Sequence, residues 1–230
     1  MKKVQGNKNI QIVTKIMEAN DRIADENRQR FAEHGLFVVD IMGSPGSGKT
    51  SLLETTIPNL LKKQLKVGVI VGDIMTTNDA ERISVFSIPV IQIMTESFGG
   101  ACHLNASMIR QALDQLNLED MDILFIENVG NLVCPAEFDI GHNERVVLIS
   151  VTEGEDKPAK YPLAFRIADL VILTKTDLLP YLDFDINIFY KNLKWVNPKT
   201  QVFDLSAKKE KNLQNWINWL EQKIKKTGDR

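Results

Sequence analysis

The sequence predicts an α/β protein with a doubly wound, mostly parallel sheet of about seven strands, preceded by an N-terminal amphipathic helix. Short apolar runs of strand length alternate with segments of helical periodicity. Most of the runs are nearly continuous in hydrophobicity, as in parallel strands that are covered on both faces. A glycine-rich turn directly follows the first run, at the strand end where ligands of such sheets bind.

The N-terminal segment is predicted to be one amphipathic helix. Residues 8–33 carry apolar residues such as Ile16 among charges, and Gly35 is the residue expected to end the helix. We therefore divide the chain into an N-terminal helical extension, residues 1–34, and a nucleotide-binding domain, residues 35–230.

Seven apolar runs are predicted strands. They are LFVVDIM (36–42), VGVIV (67–71), VIQI (90–93), DILFIE (122–127), VVLISV (146–151), DLVILT (169–174) and TQVFDLS (200–206). Helical patterns fall between several of them, notably from Leu104 to Leu116, and a last one runs from Leu213 to Ile224. This alternation is the basis of the doubly wound prediction.

Composition limits the possible partners. The 230 residues, 43% hydrophobic and 25% charged, suffice for one large core. The formal net charge of −2 gives no indication of nucleic-acid or membrane binding. No apolar run approaches the length of about 18 residues that a membrane span needs, and no signal peptide is seen, so we expect a cytoplasmic protein.

The turn after the first strand, GSPGSGKT (43–50), matches the phosphate-loop pattern G-x-x-x-x-G-K-S/T. Its glycines let backbone N–H groups surround phosphates, its lysine reaches the β and γ phosphates, and its hydroxyl binds Mg²⁺. A chance glycine-rich turn would not require the strand before it and the helix-compatible SLLETTIPNLL after it. The chain is thus predicted to be a P-loop nucleoside triphosphatase. Its predicted nucleotide contacts here are Gly43, Ser44, Gly46, Ser47, Gly48, Lys49, Thr50 and Ser51.

Two acidic residues at predicted strand ends are candidates for Mg²⁺ binding with Thr50. Asp73 ends VGVIVGD and Glu127 ends LFIE, although either could be a solvated strand end. Gly130 follows three residues after Glu127, where its N–H could sense a γ-phosphate. We assign catalysis to Lys49, Asp73 and Glu127, and expect slow turnover because no glutamine stands where it would orient water.

The stretch VILTKTDLLP (171–180) predicts recognition of guanine. The Asp177 carboxylate can accept from the two adjacent N–H donors of guanine, a pairing that adenine cannot make. Lys175 would lie along the base, and a second loop would cover its edge with Ser206, Ala207 and Lys208. The usual GTPase pattern is Asn-Lys-x-Asp, and Thr174 stands in place of the asparagine. We therefore expect a weaker contact either to the O6/N7 side of the base or to the phosphate loop, with guanine still the favoured base.

Three stretches resemble the HypB-type GTPases of the SIMIBI class: ACHLNASMI, ENVGNLVCPAEFDIGHNERVVLISVTEGEDKPAKYP and ADLVILTKTDLLPYLDFDI. The resemblance covers about residues 10–225. It implies a GTPase that assists nickel insertion into nickel-iron hydrogenase, forms a GTP-dependent homodimer and carries a metal site at the dimer interface. It also implies two partners, a HypA-type nickel chaperone and the hydrogenase large-subunit precursor.

The same resemblance implies one further contact, and the chain departs from the HypB pattern at two places. Lys157, in EGEDKPAKYP, is expected to contact the guanine nucleotide across the dimer interface. The chain begins MKKVQGNKN, without the Cys-rich or His-rich N-terminal motifs of some members, so we expect no nickel storage there. Asn105 replaces the aspartate that usually follows Cys-His-Leu.

Cys102, His103 and Cys134 are the candidate ligands for nickel or zinc. Two thiolates and an imidazole suit either metal but leave a four-coordinate site incomplete, so a second protomer or water would complete it. On the residues alone, buried small hydrophobes and an incidental histidine are an equal alternative, and the resemblance favours ligands. His34 and His142 lack such neighbours and are expected at the surface.

Three other functions are alternatives. A urease-type nickel chaperone GTPase should show Cys-Pro-His where this chain has Cys102, His103 and Leu104. A small-molecule P-loop kinase would need an acceptor pocket and an arginine-bearing lid, and the two base-recognition stretches argue against it. A metal-storage protein would bind nickel without releasing phosphate.

Overall fold

The computed structural model describes residues 6–228; the chain ends, 1–5 of the predicted extension and 229–230 of the predicted domain, lie outside the described residues. The strands are β1 Phe37–Gly43, β2 Val67–Asp73, β3 Val90–Met94, β4 Ile123–Glu127, β5 Glu144–Ser150, β6 Leu170–Thr174 and β7 Gln201–Asp204. The α-helices are α1 Gly6–Glu33, α2 Lys49–Lys62, α3 Asn78–Ser84, α4 Ala106–Leu113, α5 Lys157–Lys160, α6 Pro162–Arg166, α7 Ile186–Val196 and α8 Leu213–Gly228. Short 3₁₀ helices cover Thr95–Phe98, Leu118–Asp120, Cys134–Glu137 and Thr176–Tyr181.

The seven strands form one sheet in the order β3-β2-β4-β1-β5-β6-β7. Every neighbouring pair is parallel, so the predicted doubly wound architecture is confirmed. β1 lies between β4 and β5, with Phe37 opposite Ile123 and Val39 opposite Glu144. The chain reverses its direction of winding at β1, which is the switch point where such sheets bind ligands.

Helices cover both faces of the sheet, which explains why the strands are continuously apolar. One face packs against α2 and α8, where Leu53 and Trp216 are buried. The Trp216 indole N–H donates to Thr56 Oγ1 at 2.9 Å, so burial of the ring leaves no polar atom unpaired. On the other face, α1 and α4 cover one end of the sheet and α6 and α7 the other.

The N-terminal helix is packed into this second face. Phe31 is buried, and the Asn27 Nδ2 group donates to the carbonyls of Ala106 and Ile140 at 2.9 and 3.2 Å. Gly35, with φ 60°, follows the helix as predicted. The division between extension and domain stays a prediction. Within residues 6–228, no helix has the length and apolar character that a membrane crossing requires.

Four strands bring predicted site residues to one edge. β1 ends at Gly43, β2 at Asp73, β4 at Glu127 and β6 at Thr174. Because all four strands are parallel, their carboxyl ends lie on the same side of the sheet. The candidate site is therefore formed there.

Candidate functional site

The loop between β1 and α2 has the backbone that its glycines predict. Gly46 and Gly48 have φ values of 75° and 98°, which other residues rarely adopt. A Cβ on Gly43 would clash with Ser47 Oγ and lie 2.7 Å from the Leu148 carbonyl oxygen. Glycine is thus required where the loop leaves the strand, and the loop presents main-chain groups at the start of α2.

Lys49 lies inside this loop. Its side chain is 7% exposed, and Nζ donates to the carbonyls of Gly43 and Ser44 at 3.3 and 3.4 Å. Burial lowers the pKa of Lys49, and the nearby Glu127 carboxylate opposes that change. A buried ammonium with long hydrogen bonds is a strong site for an anion.

Thr50 and Glu127 form the second polar pair of the site. Thr50 Oγ1 donates to Glu127 Oε1 at 2.8 Å, while Oε2 of the same buried carboxyl has no partner among the described residues. Burial raises the pKa of Glu127 to about 7, and the Lys49 charge opposes the rise. A hydroxyl and a carboxyl group, one of whose oxygens has no partner in the described part of the chain, form a donor set that fits Mg²⁺.

A cavity of about 450 Å³ lies between the phosphate loop and the ends of β2 and β4. Its lining includes nine of the predicted residues: Gly46, Gly48, Lys49, Thr50, Ser51, Asp73, Glu127, Gly130 and Lys175. Gly43, Ser44 and Ser47 belong to the same loop but do not line the cavity. Asp73 Oδ2 accepts a hydrogen bond from Thr76 Oγ1 at 2.7 Å, within the loop that follows β2.

Two charged residues of this cavity were missed by sequence analysis. Asp79 and Arg82 lie one turn apart on α3, so both side chains are on one face of that helix and line the cavity. The Arg82 guanidinium is paired with Glu54 on α2 and with Asp79. The available signal was their spacing in NDAERI, directly after the Asp73 loop.

The predicted base-recognition residues lie together in a second cavity of about 250 Å³. It is lined by Lys175, Asp177, Ser206, Ala207 and Lys208, and it shares Gly48, Ser51 and Lys175 with the first cavity. The Lys175 Nζ group donates to the Gly46 carbonyl at 2.7 Å. A bound molecule can therefore extend from the phosphate loop to Asp177.

Thr174 contacts the phosphate loop despite replacing the usual asparagine. Its Oγ1 donates to the Ser47 carbonyl at 2.6 Å and lies 3.3 Å from the Ile149 carbonyl oxygen. The threonine hydroxyl thus keeps a contact with the phosphate loop, and the expected weakening of the contact at this position stays a prediction.

Lys157 lines neither cavity and, unlike Gly43, Ser44 and Ser47, is not part of the phosphate loop. It is the first residue of α5, and its Nζ lies 5.3 Å from the centre of the Tyr161 ring. Its assignment to a nucleotide across an interface stays a prediction.

Cys102, His103 and Cys134 converge although 32 positions separate the two cysteines. One ligand atom from each lies within 4.8 Å of the others, and the two sulfur atoms are 2.6 Å apart. All three residues are half-buried, and among the described residues theirs is the one such group of histidine, cysteine and acidic side chains. The donor set has three members, so a four-coordinate metal would keep one position for another ligand.

The surroundings of His103 favour the neutral form of its ring. His103 stacks on Phe138 with ring centres 3.9 Å apart, and its buried Nδ1 has no hydrogen-bond partner within the part of the chain that the structure describes. Burial lowers the pKa of His103, with the Glu137 charge opposing. Neutral imidazole is the form that binds metals.

The Cys134 segment touches the phosphate loop. A Cβ on Gly130 would lie 2.9 Å from Pro45 Cγ, so the chain passes directly over the loop. Asn131 pairs with Gly43 in an isolated β-bridge, and its Nδ2 donates to the Cys102 carbonyl at 3.3 Å. One residue thus joins the end of β1 to the metal-ligand group.

Three further residues that carry a sequence-based expectation lie outside the two cavities and the metal-ligand group. Asn105 caps α4, because its Oδ1 accepts from Met108 N at 3.0 Å. His34 is exposed as predicted. The surface prediction for His142 is wrong: its side chain is 13% exposed, and burial lowers its pKa to about 4.

Comparisons with known proteins agree with this geometry. A family profile described as CobW/HypB/UreG, nucleotide-binding domain, matches residues 37–204. The hydrogenase maturation factor HypB of Azotobacter chroococcum mcd 1 is 48% identical over 213 residues, which are 93% of this chain and 68% of that protein.

Two solved structures are similar over most of their length. HypB from Helicobacter pylori in complex with nickel has a TM-score of 0.84 and 40% identity, over 90% of this chain and 96% of that chain. HypB from Archaeoglobus fulgidus has a TM-score of 0.83 and 40% identity, over 90% and 99% of the respective chains.

Proposed function

The chain belongs to the CobW/HypB/UreG family and, within it, to the HypB hydrogenase maturation factors, and from this membership we propose how its two sites act together. It is a GTPase that uses GTP with Mg²⁺ and serves nickel insertion into hydrogenase. The observation that carries the proposal is the three-ligand group of Cys102, His103 and Cys134, joined to the end of β1 by Asn131.

In hydrolysis, the residues of the first cavity neutralise phosphate charge. Lys49 contacts the β and γ oxygens, and Thr50 holds Mg²⁺ together with Glu127 and Asp73. Glu127 supports this role because it is buried beside Thr50, and one of its oxygens has no partner among residues 6–228 as described. The magnesium supplies positive charge at the phosphates when bound.

In base recognition, Asp177 accepts from the two N–H donors of guanine. Support comes from the continuity of the two cavities through Gly48, Ser51 and Lys175. Ser206, Ala207 and Lys208 cover the edge of the base.

Nickel is the cargo, and zinc is the alternative occupant of the same ligands. Thiolates and neutral imidazole bind both metals, and one position of a four-coordinate site stays free. A second copy of the chain would supply that position in a GTP-dependent homodimer, in which Lys157 would contact the partner's nucleotide. The cargo then passes between a HypA-type nickel chaperone and the hydrogenase large-subunit precursor.

Closing of the Gly130 segment on a γ-phosphate would displace Cys134, four residues further along the chain. GTP and GDP states should thus differ in metal affinity, and by linkage the metal should change GTP affinity by the same factor. Hydrolysis would act as the timer of metal release.

The test is a nickel and zinc titration with GDP or a non-hydrolysable GTP analogue bound, together with phosphate release from GTP and ATP. For the parent we expect a difference in metal affinity of about 5- to 150-fold between the nucleotide states. Cys134→Ala should abolish that difference, and Cys102→Ala should weaken binding in both states. His34→Ala, an exposed histidine outside the group, is the matched control. Equal affinities in both states of the parent would contradict the proposal.

A further inference from the structure

Three cationic side chains line the phosphate cavity within the described part of the chain: Lys49, Lys175 and Arg82. Lys49 is the phosphate-loop lysine, and Lys175 is bonded to the Gly46 carbonyl and continues into the base pocket. The third cation, Arg82, contacts Glu54, Asp79 and Ser51. It is the remaining source of positive charge beside the phosphates.

The Arg82 guanidinium is held at the cavity rim by a carboxylate. Nε and Nη2 donate to the two Glu54 oxygens at 2.9 and 2.6 Å, and Nη1 donates to Asp79 at 3.1 Å. Nη2 also lies 3.1 Å from Ser51 Oγ, and Ser51 lines both cavities. The fork that now pairs with a carboxylate has the geometry to pair with phosphate oxygens.

The pair is exposed enough to be exchanged. The side chains of Arg82 and Glu54 are 42% and 34% exposed, and ion pairs in such positions contribute little to stability. A charged phosphate group that enters the cavity therefore competes well with Glu54 for the guanidinium.

GTP hydrolysis needs a further group beside the phosphates that can stabilise negative charge. Asn128, which occupies the position after Glu127, is 1% exposed and cannot orient water, because its amide donates to Asp40 and accepts from Leu104 and Val129 N–H groups. Phosphoryl transfer spreads negative charge over oxygens that an arginine can stabilise.

We propose that Arg82 is a catalytic residue of GTP hydrolysis: when GTP binds, its guanidinium leaves Glu54 and contacts the phosphoryl oxygens. In the nucleotide-free protein, Glu54 acts as a latch that keeps Arg82 at the cavity rim. The inference rests on the GTPase function proposed above. A water oxygen bonds to the γ-phosphorus as the bond from that phosphorus to the β,γ-bridging oxygen breaks. GDP leaves with the electron pair of the broken bond, and the protons of the water pass to the released phosphate and to solvent. Arg82 keeps its proton throughout and stabilises the charge on the transferring group.

The experiment is steady-state phosphate release from GTP by the full chain, with GDP affinity measured by titration. Arg82→Ala should lower kcat by about a hundredfold or more, below the parent's already slow rate, while GDP affinity changes little. Arg82→Lys, which keeps the charge but not the fork, should recover only part of the loss. Low millimolar guanidinium should partly restore the Arg82→Ala rate, which a merely structural role would not allow.

Glu54→Gln tests the latch in the opposite direction. Because the latch acts before GTP is bound, the substitution should raise kcat/KM for GTP, by at most about the fivefold that corresponds to an exposed ion pair. The matched control is Arg110→Ala, which removes a similar exposed pair with Glu26 outside the cavity. Circular dichroism and thermal unfolding confirm that each variant is folded.

Either of two results would overturn the role of Arg82 and leave the GTPase function standing. One is a rate of phosphate release in Arg82→Ala equal to that in Arg110→Ala. The other is an equal loss of that rate in Arg82→Ala and Glu54→Gln, which would mean that the ion pair only braces α2 against α3. Failure of the parent to release phosphate from GTP would instead overturn the proposed function, and this inference with it.

Discussion

Replacement of Glu127 by glutamine should stabilise the nucleotide-free protein at neutral and alkaline pH while removing its GTPase activity. Glu127 is 2% exposed, and burial raises its pKa from 4.5 to about 7. Thr50 Oγ1 donates to Oε1, and the glutamine carbonyl can accept the same hydrogen bond. The substitution therefore removes the buried charge and keeps the contact.

The raised pKa of Glu127 determines how the stability of the parent changes with pH. Above pH 4.5 the unfolded chain loses the carboxyl proton readily, whereas the folded chain retains it until the pH approaches 7. Stability present below pH 4.5 is thus lost as the pH rises through 7. At about 1.4 kcal/mol for each tenfold change in acidity, the loss amounts to about 3 kcal/mol.

The measurement is urea unfolding between pH 5 and pH 8 without nucleotide or magnesium, for the parent and Glu127→Gln. The advantage of the variant should be small at pH 5 and approach about 3 kcal/mol at pH 8. Glu119→Gln, at an exposed acid outside the site, controls for the removal of one charge. An advantage of Glu127→Gln that stays constant over this range would refute the reasoning.

Three further changes test the site and the fold. Asp177→Asn should weaken GTP binding by about a hundredfold, since a charged bidentate pair is lost, and XTP should regain part of the affinity in a nucleotide titration; unchanged GTP binding would exclude Asp177 as the guanine contact. Lys49→Ala should abolish measurable phosphate release and leave the circular dichroism spectrum intact, whereas normal turnover would place the reaction elsewhere. Because the folded chain holds His142 neutral, the parent should lose about 3 kcal/mol of stability as the pH falls from 6.5 to about 4, and His142→Gln should not show this loss. An identical pH dependence of urea unfolding in the parent and the variant would contradict this prediction.

The fold and the phosphate loop could be predicted because their signals are local. Most of the parallel strands are short, nearly continuous apolar runs, and the loop pattern lies within eight consecutive residues. Cys102, His103 and Cys134 could be named as ligands from their chemistry and from the HypB resemblance. Their approach to within 4.8 Å depends on how the loops after β3 and β4 pack together, which no spacing rule states.

The residues that sequence analysis missed or misplaced depend on tertiary packing. Asp79 and Arg82 have the spacing of an ordinary solvated helix face, and only the position of α3 over the cavity gives them a role. His142 has polar neighbours in sequence, yet Gly141 beside it packs so closely on α1 that a Cβ there would lie 2.6 Å from the Ala24 carbonyl oxygen.

The contacts of the buried Asn27 of α1 affect how the protein folds while it is being synthesised. Asn27 is translated 79 residues before Ala106 and 113 residues before Ile140, the two residues whose carbonyls accept its amide. During synthesis the apolar side of α1 therefore remains without its native cover until most of the sheet has left the ribosome. Contacts this distant in sequence form slowly. The nascent helix is consequently a segment on which a chaperone could act while translation continues.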